Sequence, residues 1–348
     1  GTDPGEISST PLNAEPLPFS ATGFVDDTVA VAINYYYVVE AFDSAGNSAA
    51  AAPVGAVLTE PSCSPWSILP CAELPVALPF TLGWSADEGG LDDGAGIGTG
   101  FTLVQPKGTP NVSGYLPANL DVDTSAGTLA ITTTNGIQYR SGTLTTNPNS
   151  LDNGLGVAFD AAAGQTRIET TVINPAGTTN QSQQAGLWFG LDQDNYIKLV
   201  VVSTGSGTVK VQALREANGG VLNNPSADLL EYNSVSTLSA AQTFELVLDL
   251  DPVANTVTAT ALANGTPVAM SNASGPITPF SVPAAWFTAT TPTSGAESLT
   301  SAGIFATHRA GPSVLVYTFG EFSISAPADT EPPAAPTNLA ATAGDGSV

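Results

Sequence analysis

Between about Leu78 and Ala326 no segment of the chain carries a helical period, and every apolar run is short and closed by Gly, Asn, Asp or Pro. Runs such as Phe80–Trp84, Thr99–Gln105, Gly127–Thr133, Leu155–Asp160, Thr166–Ile173, Gln184–Leu191, Tyr196–Val202, Thr208–Arg215, Thr243–Asp249, Thr256–Ala263, Ser301–Thr307 and Val314–Ile324 are rich in Val, Ile, Thr and aromatic residues. That composition and length suit half-buried strands. Asp192-Gln-Asp194-Asn195 and Asp249-Leu-Asp251-Pro-Val-Ala-Asn255 sit between adjacent runs and predict tight hairpins. About a dozen strands in roughly 250 residues predict two large facing antiparallel sheets, an all-β jelly-roll sandwich.

The charge balance narrows what such a sandwich can meet. Of 348 residues only 11% are charged, with 7 Lys+Arg against 31 Asp+Glu, for a net charge of −24. Such a surface repels phosphate backbones and anionic lipid, which excludes nucleic-acid binding. No apolar run is long enough to span a membrane. Carboxylate excess fits a soluble exported protein or one that binds divalent cations. Cys63 and Cys71 lie in the Pro-rich stretch Pro61-Ser-Cys63-Ser-Pro-Trp66-Ser-Ile-Leu-Pro-Cys71, with no neighbouring His or further Cys to build a metal site. They read as a local disulfide worth about 2–3 kcal/mol, which implies an oxidising, extracytoplasmic compartment.

Family resemblance enters at three places. Asn34-Tyr-Tyr-Tyr-Val-Val-Glu-Ala-Phe-Asp43-Ser-Ala-Gly46-Asn47 resembles the penultimate strand and turn of a fibronectin type III domain. Asp329-Thr-Glu-Pro-Pro-Ala-Ala-Pro336-Thr-Asn-Leu339 resembles the linker and opening strand of another. Between them, Gly98-Thr-Gly100-Phe-Thr-Leu-Val104, Ala185-Gly-Leu-Trp188-Phe-Gly-Leu-Asp192-Gln-Asp-Asn195-Tyr-Ile-Lys198-Leu, Ala302-Gly303-Ile-Phe-Ala-Thr307 and Tyr317-Thr-Phe319-Gly320-Glu-Phe322 are similar to the concanavalin-like, laminin-G-like jelly rolls of large bacterial secreted or surface proteins. The expected organisation is a partial fibronectin-like domain over 1–58, a linker over 59–75, the jelly roll over 76–326, and the start of a second fibronectin-like domain over 327–348. This resemblance implies fold, whereas its members serve glycan binding, adhesion and spacing alike.

Candidate chemistry is sparse. Asp87, Glu88, Asp92 and Asp93 share one glycine-rich loop, Trp84–Gly98, where flexible backbone carbonyls could join them around calcium. A merely solvated acidic loop is the alternative. Asp121/Asp123 is a weaker cluster, and Asp192/Asp194 is explained by turn chemistry. Trp188, Tyr196 and Trp286, with Tyr139, are candidate glycan-stacking platforms, although core positions suit strand aromatics as well. His308 lies in a turn with no nucleophile or orienting carboxylate near it in sequence. Glu169 and Glu245 alternate with apolar neighbours as outward-facing residues do, and nothing pairs them for glycosidase work. Sequons at Asn111, Asn180, Asn264 and Asn272 matter only in a glycosylating host.

The partial domains at both ends favour a non-catalytic extracellular structural or adhesive module at the cell surface. It would repeat along a fibre or giant surface protein, with copies joined head to tail by completion of the fibronectin-like halves. The alternative is a carbohydrate-binding module of a secreted multidomain enzyme or adhesin, with polysaccharide as partner. A glycan-processing enzyme is the third reading.

Overall fold

The computed structural model describes residues 75–105, 114–137, 149–175, 177–178, 180–217, 229–288, 300–309 and 313–325, with four short strands nearer the start. Those four form two antiparallel pairs, Asn34–Tyr37 with Val54–Val57 and Glu40–Phe42 with Ser48–Ala50. The disulfide predicted for Cys63 and Cys71, the C-terminal segment 327–348 and Tyr139 lie outside the described residues. No helix among the described residues is long and apolar enough to cross a membrane.

Eleven strands carry the central sandwich: β1 (Thr128–Thr132), β2 (Leu155–Ala158), β3 (Thr166–Ile173), β4 (Gln181–Asp192), β5 (Asn195–Thr204), β6 (Thr208–Glu216), β7 (Leu229–Ser234), β8 (Thr243–Asp251), β9 (Thr256–Ala263), β10 (Ser301–Thr307) and β11 (Val316–Ser325). One nine-stranded sheet has the order β9-β8-β3-β11-β1 and continues past β1 through Leu120–Asp123. The facing ten-stranded sheet has the order β7-β6-β5-β4-β10-β2 and continues past β2 through Leu103–Val104. The ladders between these strands are antiparallel, so the expected all-β two-sheet sandwich is what the chain forms. Both predicted hairpins are present. Asp192 Oδ1 accepts the Asp194 amide at 2.8 Å, and Asp251 Oδ1 accepts the Val253 and Ala254 amides at 2.9 Å. Among the described residues, helix is confined to single turns at Pro117–Asn119 and Ala285–Thr288.

The inner faces meet as alternation requires. Leu187 and Phe189 of β4, Ile197, Leu199 and Val201 of β5, and Val209, Val211 and Ala213 of β6 pack against Ile168 and Val172 of β3 and Leu246 and Leu248 of β8. On the nine-stranded sheet the opposite residues face out: Glu245 is exposed and Glu169 half-buried, as their alternation predicts. His308 clasps the two sheets at one end. Its amide donates to Thr134 O at 2.9 Å and its Nδ1 lies 2.9 Å from Thr133 Oγ1.

The ten-stranded sheet departs from simple alternation, because much of its outer face is buried too. β10 and β2 are buried at every residue, and β5 at every residue but its two ends. A second apolar cluster of Leu103, Leu151, Ala158, Trp188, Val200, Val202 and Phe305 covers this side. Trp188 lies along the sheet, its Nε1 donating to Leu155 O at 2.9 Å across two strands. It can do so only because its neighbour carries no side chain: a Cβ on Gly156 would stand 2.6 Å from Trp188 Cζ2 and 3.0 Å from Ala302 O. Replacing Gly156 by Ala is therefore expected to cost about 1–3 kcal/mol through overpacking. Gly164→Ala, where a Cβ meets nothing within 4 Å, is the matched control. Urea unfolding should show a lower midpoint with an unchanged slope for Gly156→Ala alone.

Candidate functional site

The acidic loop is built by its own carboxylates. Asp87 Oδ1 accepts the Gly89 and Gly98 amides, both at 2.9 Å, and Glu88 Oε1 accepts the Trp84 amide at 3.1 Å. Asp93, 4% exposed, accepts Ala95 at 2.8 Å and Ile97 at 2.9 Å on Oδ1 and Val122 at 2.9 Å on Oδ2. Tyr115 Oη donates to the Asp92 carbonyl. The carboxylates of Asp87, Glu88 and Asp93 thus point at separate backbone donors, while Asp92 is engaged through its carbonyl. Among the described residues no group of three or more His, Cys, Asp or Glu converges as a metal site. Asp87 Oδ1, Glu88 Oε1 and both Asp93 oxygens hold backbone N–H groups with acceptor capacity that a cation would otherwise use. Burial opposes the Asp93 charge, but the amides of Val122, Ile97, Ala95 and Gly96 outweigh it and hold the carboxyl below the usual carboxylate range. Asp93→Asn, which cannot accept on both oxygens, should lose about 1–3 kcal/mol of stability in chemical denaturation at neutral pH. The loss should shrink as pH falls through the folded Asp93 pKa, where the native carboxylate loses its own advantage.

The aromatic platforms are corrected by burial. Trp188 and Tyr196 are 0% exposed and Trp286 is 2% exposed, so none offers a face for a sugar to stack on. Trp188 belongs to the outer-face apolar cluster, and Trp286 to the inter-sheet core.

What the fold does assemble is a polar strip on the outer face of the ten-stranded sheet, beside that apolar cluster. Register puts Lys198 of β5 between Trp188 of β4 and Leu214 of β6, with Glu231 of β7 next in the same row. The following rows bring Val200, Gln212 and Asn233 into line, then Gln184, Val202 and Lys210. Lys198 Nζ donates to Gln184 Oε1 at 2.8 Å. Across β6 and β7, Gln212 Nε2 donates to Asn233 Oδ1 at 3.3 Å, and Asn233 Nδ2 donates to Glu231 Oε1 at 2.6 Å. Glu216, fully buried, stands on the same face of β6. Gln212, Glu231 and Asn233 are half-exposed, while Lys198 is 3% exposed. A wall closes the strip on the β4 side. Gln193 in the β4–β5 turn accepts the Leu151 amide at 3.2 Å, and Asn149 Nδ2 donates to Asp194 Oδ1 at 2.6 Å.

Sequence reasoning passed over Lys198, Glu216 and Glu231, yet a signal existed. Lys198 is one of only 7 basic residues and interrupts the otherwise apolar run Tyr196–Val202. A strand buried on both faces reads as a near-continuous apolar run, and a lysine inside one needs a partner. Burial pulls the Lys198 ammonium down to about 8; Glu231 and Glu216 work against the fall, and Arg309 adds to it. The folded pKa lies below the unfolded value of 10.5, so between about pH 8 and 10.5 the unfolded chain binds the extra proton. Stability from this group should therefore rise with pH across that window, by about 1–3 kcal/mol. Denaturation at pH 7.5, 9 and 10 should show that rise in the wild type relative to Lys198→Met; parallel profiles would contradict it.

No protein-family model matches the chain, and no curated protein matches it. Solved structures similar to it include a mutant of the GH43 protein BlXynB from Bacillus licheniformis, at 10% identity and a TM-score of 0.45, covering 82% of this chain and 46% of that one. An endo-1,3-β-glucanase from Streptomyces sioyaensis is 13% identical with a TM-score of 0.37, covering 73% and 96%. A legume lectin-like domain from Entamoeba histolytica is 9% identical with a TM-score of 0.34, covering 49% and 77%. The chain spans less than half the length of the first of these. At such identities the likeness is one of sandwich fold. Glycoside hydrolases and a lectin-like domain stand where the sequence led us to expect a fibre repeat. The reading as a non-catalytic, head-to-tail structural module is accordingly withdrawn, and with it the exclusion of enzymatic activity.

Proposed function

We propose that the outer face of the ten-stranded sheet recognises a polysaccharide. The observation that carries this is the hydrogen-bonded strip Gln184–Lys198 and Glu231–Asn233–Gln212, held across four adjacent strands. Sugar hydroxyls both donate and accept, so they are best met by planar amides and carboxylates fixed in advance. Here strand register fixes them, which lowers the ordering cost of binding. An extracellular site of action goes with this reading, since polysaccharides such as xylan and β-1,3-glucan lie outside the cell membrane.

Glu231→Gln and Asn233→Ala are expected to weaken retention on immobilised xylan or β-1,3-glucan at least tenfold, with melting temperatures close to that of the parent. Retention unchanged in both variants would sink the proposal.

A second reading, hydrolysis, is favoured by Glu216 and Glu231. They lie on neighbouring strands of the same face, with Glu216 opposite Leu229 and Glu231 two residues along. Glycosidic cleavage uses two such carboxyl groups, one of them desolvated, and both Glu216 oxygens are buried. Release of reducing ends from the same polysaccharides, lost in Glu216→Gln, is the expected result; no release by the parent protein would remove this second reading.

A further inference from the structure

The strip lies next to an arrangement of cations that its surroundings do not explain. With 31 acidic residues against 7 basic ones, each cation should find a carboxylate partner easily. Arg167 does, pairing with Asp249 at 2.8 Å on the nine-stranded sheet, and Arg215 donates to Ser281 O at 2.5 Å. Of the other three described basic residues, Lys198 and Lys210 stand on the outer face of the ten-stranded sheet, and Arg309 lies just past the end of β10, close enough to Lys198 to act on its charge. Lys210 is in register with Val202, one strand from Gln184, and Gln184 in turn is in register with Thr307 at the end of β10. Arg309 follows Thr307 by two residues and is held there, its amide donating to Thr307 Oγ1 at 2.9 Å. Among the described residues neither Lys210 nor Arg309 has a carboxylate at ion-pair distance. Lys198 is buried with three N–H groups, and Gln184 Oε1 is its one hydrogen-bond acceptor among them. A buried ammonium with donors left over is costly unless something else accepts from it.

We propose that this end of the face takes an anionic group carried by the polysaccharide, a uronate carboxylate or a sulfate ester, between Arg309 and Lys210 and beside Lys198. The proposal rests on the carbohydrate reading above and makes it more specific. An arginine presents a fork that matches a carboxylate or sulfate edge, while lysines supply point charges around it. Glu216 and Glu231 temper the positive charge at the other end of the strip, so the anion has one preferred place along it. The net charge of −24 also guards the inference: such a chain repels polyanions in general, so retention of one would need a local site.

The test is binding of the whole chain to immobilised alginate, polygalacturonate and glucuronoxylan, each beside its methyl ester, with dextran sulfate and neutral xylan in parallel. We expect at least tenfold tighter binding to an acidic polymer than to its ester, weakened as salt is raised. Arg309→Gln and Lys210→Gln should each erase most of that difference and leave neutral xylan binding unchanged. Binding to dextran sulfate but to no uronate polymer would support the site and identify sulfate as its anion. Equal binding of acids and esters, or a preference untouched by both variants, would overturn the anion site and leave the carbohydrate reading standing. Failure to bind any polysaccharide, neutral or charged, would take down both.

Discussion

The structure depends on one sheet being buried twice. In an ordinary antiparallel sandwich each sheet keeps one face for water, and alternate residues are polar. Here β5 and β10 are buried on both sides, and Trp188 lies flat on the outer face with its indole N–H anchored to Leu155 O. Fully burying a residue of this size contributes several kcal/mol, and its truncation typically costs about 3–5. The outer-face cluster therefore acts as a second, smaller core. It also divides that face, since the part over β2 and β10 is closed and apolar while the part over β4 to β7 keeps polar groups beside Trp188, Val200 and Val202. The proposed carbohydrate site lies at the boundary, where the closed part supplies a low-dielectric wall against which those polar groups are held.

Charge is used differently in the two parts of the molecule. Around the loops, carboxylates cap backbone N–H groups: Asp87, Asp93, Asp123, Asp192 and Asp251 each accept amides of their own turn. This is the local chemistry that makes Asp favourable in turns, and it explains how so many acids coexist with so few cations. Repulsion among them is relieved by hydrogen bonds instead of ion pairs. The consequence is that the few cations are released from neutralising loops. Lys198 and Lys210 stand on one face and Arg309 at its edge, where the carboxylates nearby, Glu216 and Glu231, are fixed by sheet register.

How far the sequence could be read follows from the range of the interactions involved. Strand positions, both hairpin turns and the outward orientation of Glu245 depend on nearest neighbours and on a two-residue period, and all were legible. The roles of Trp188 and Tyr196 were not. Alternation says that Trp188 faces away from Leu187 and Phe189, but only the arrival of Gly156 from a distant strand shows that this face is covered. Lys198, Glu231 and Gln184 are likewise separated in sequence and meet through the β4-β5-β6-β7 order, which no local pattern encodes. The Asp87–Asp93 loop was legible in composition alone. Its composition suits a cation, yet composition cannot tell whether carboxylates point inward together or outward to separate amides.

A site mounted on strands has a property that a loop site lacks. Lys198 cannot move away from its neighbours without breaking the pairing of β5 with β4 and β6, so the fold itself carries the cost of desolvating it. That cost is visible as the fall of its pKa toward 8. An anion arriving beside it acts on the same equilibrium with opposite sign, because it favours the charged form that burial disfavours. Binding of the proposed anion and protonation of Lys198 would then be linked: above about pH 8 Lys198 has begun to lose its proton, and an anionic ligand would draw it back. The strain of keeping a lysine under cover and the selectivity of the face for charge are, on this argument, two consequences of one buried side chain.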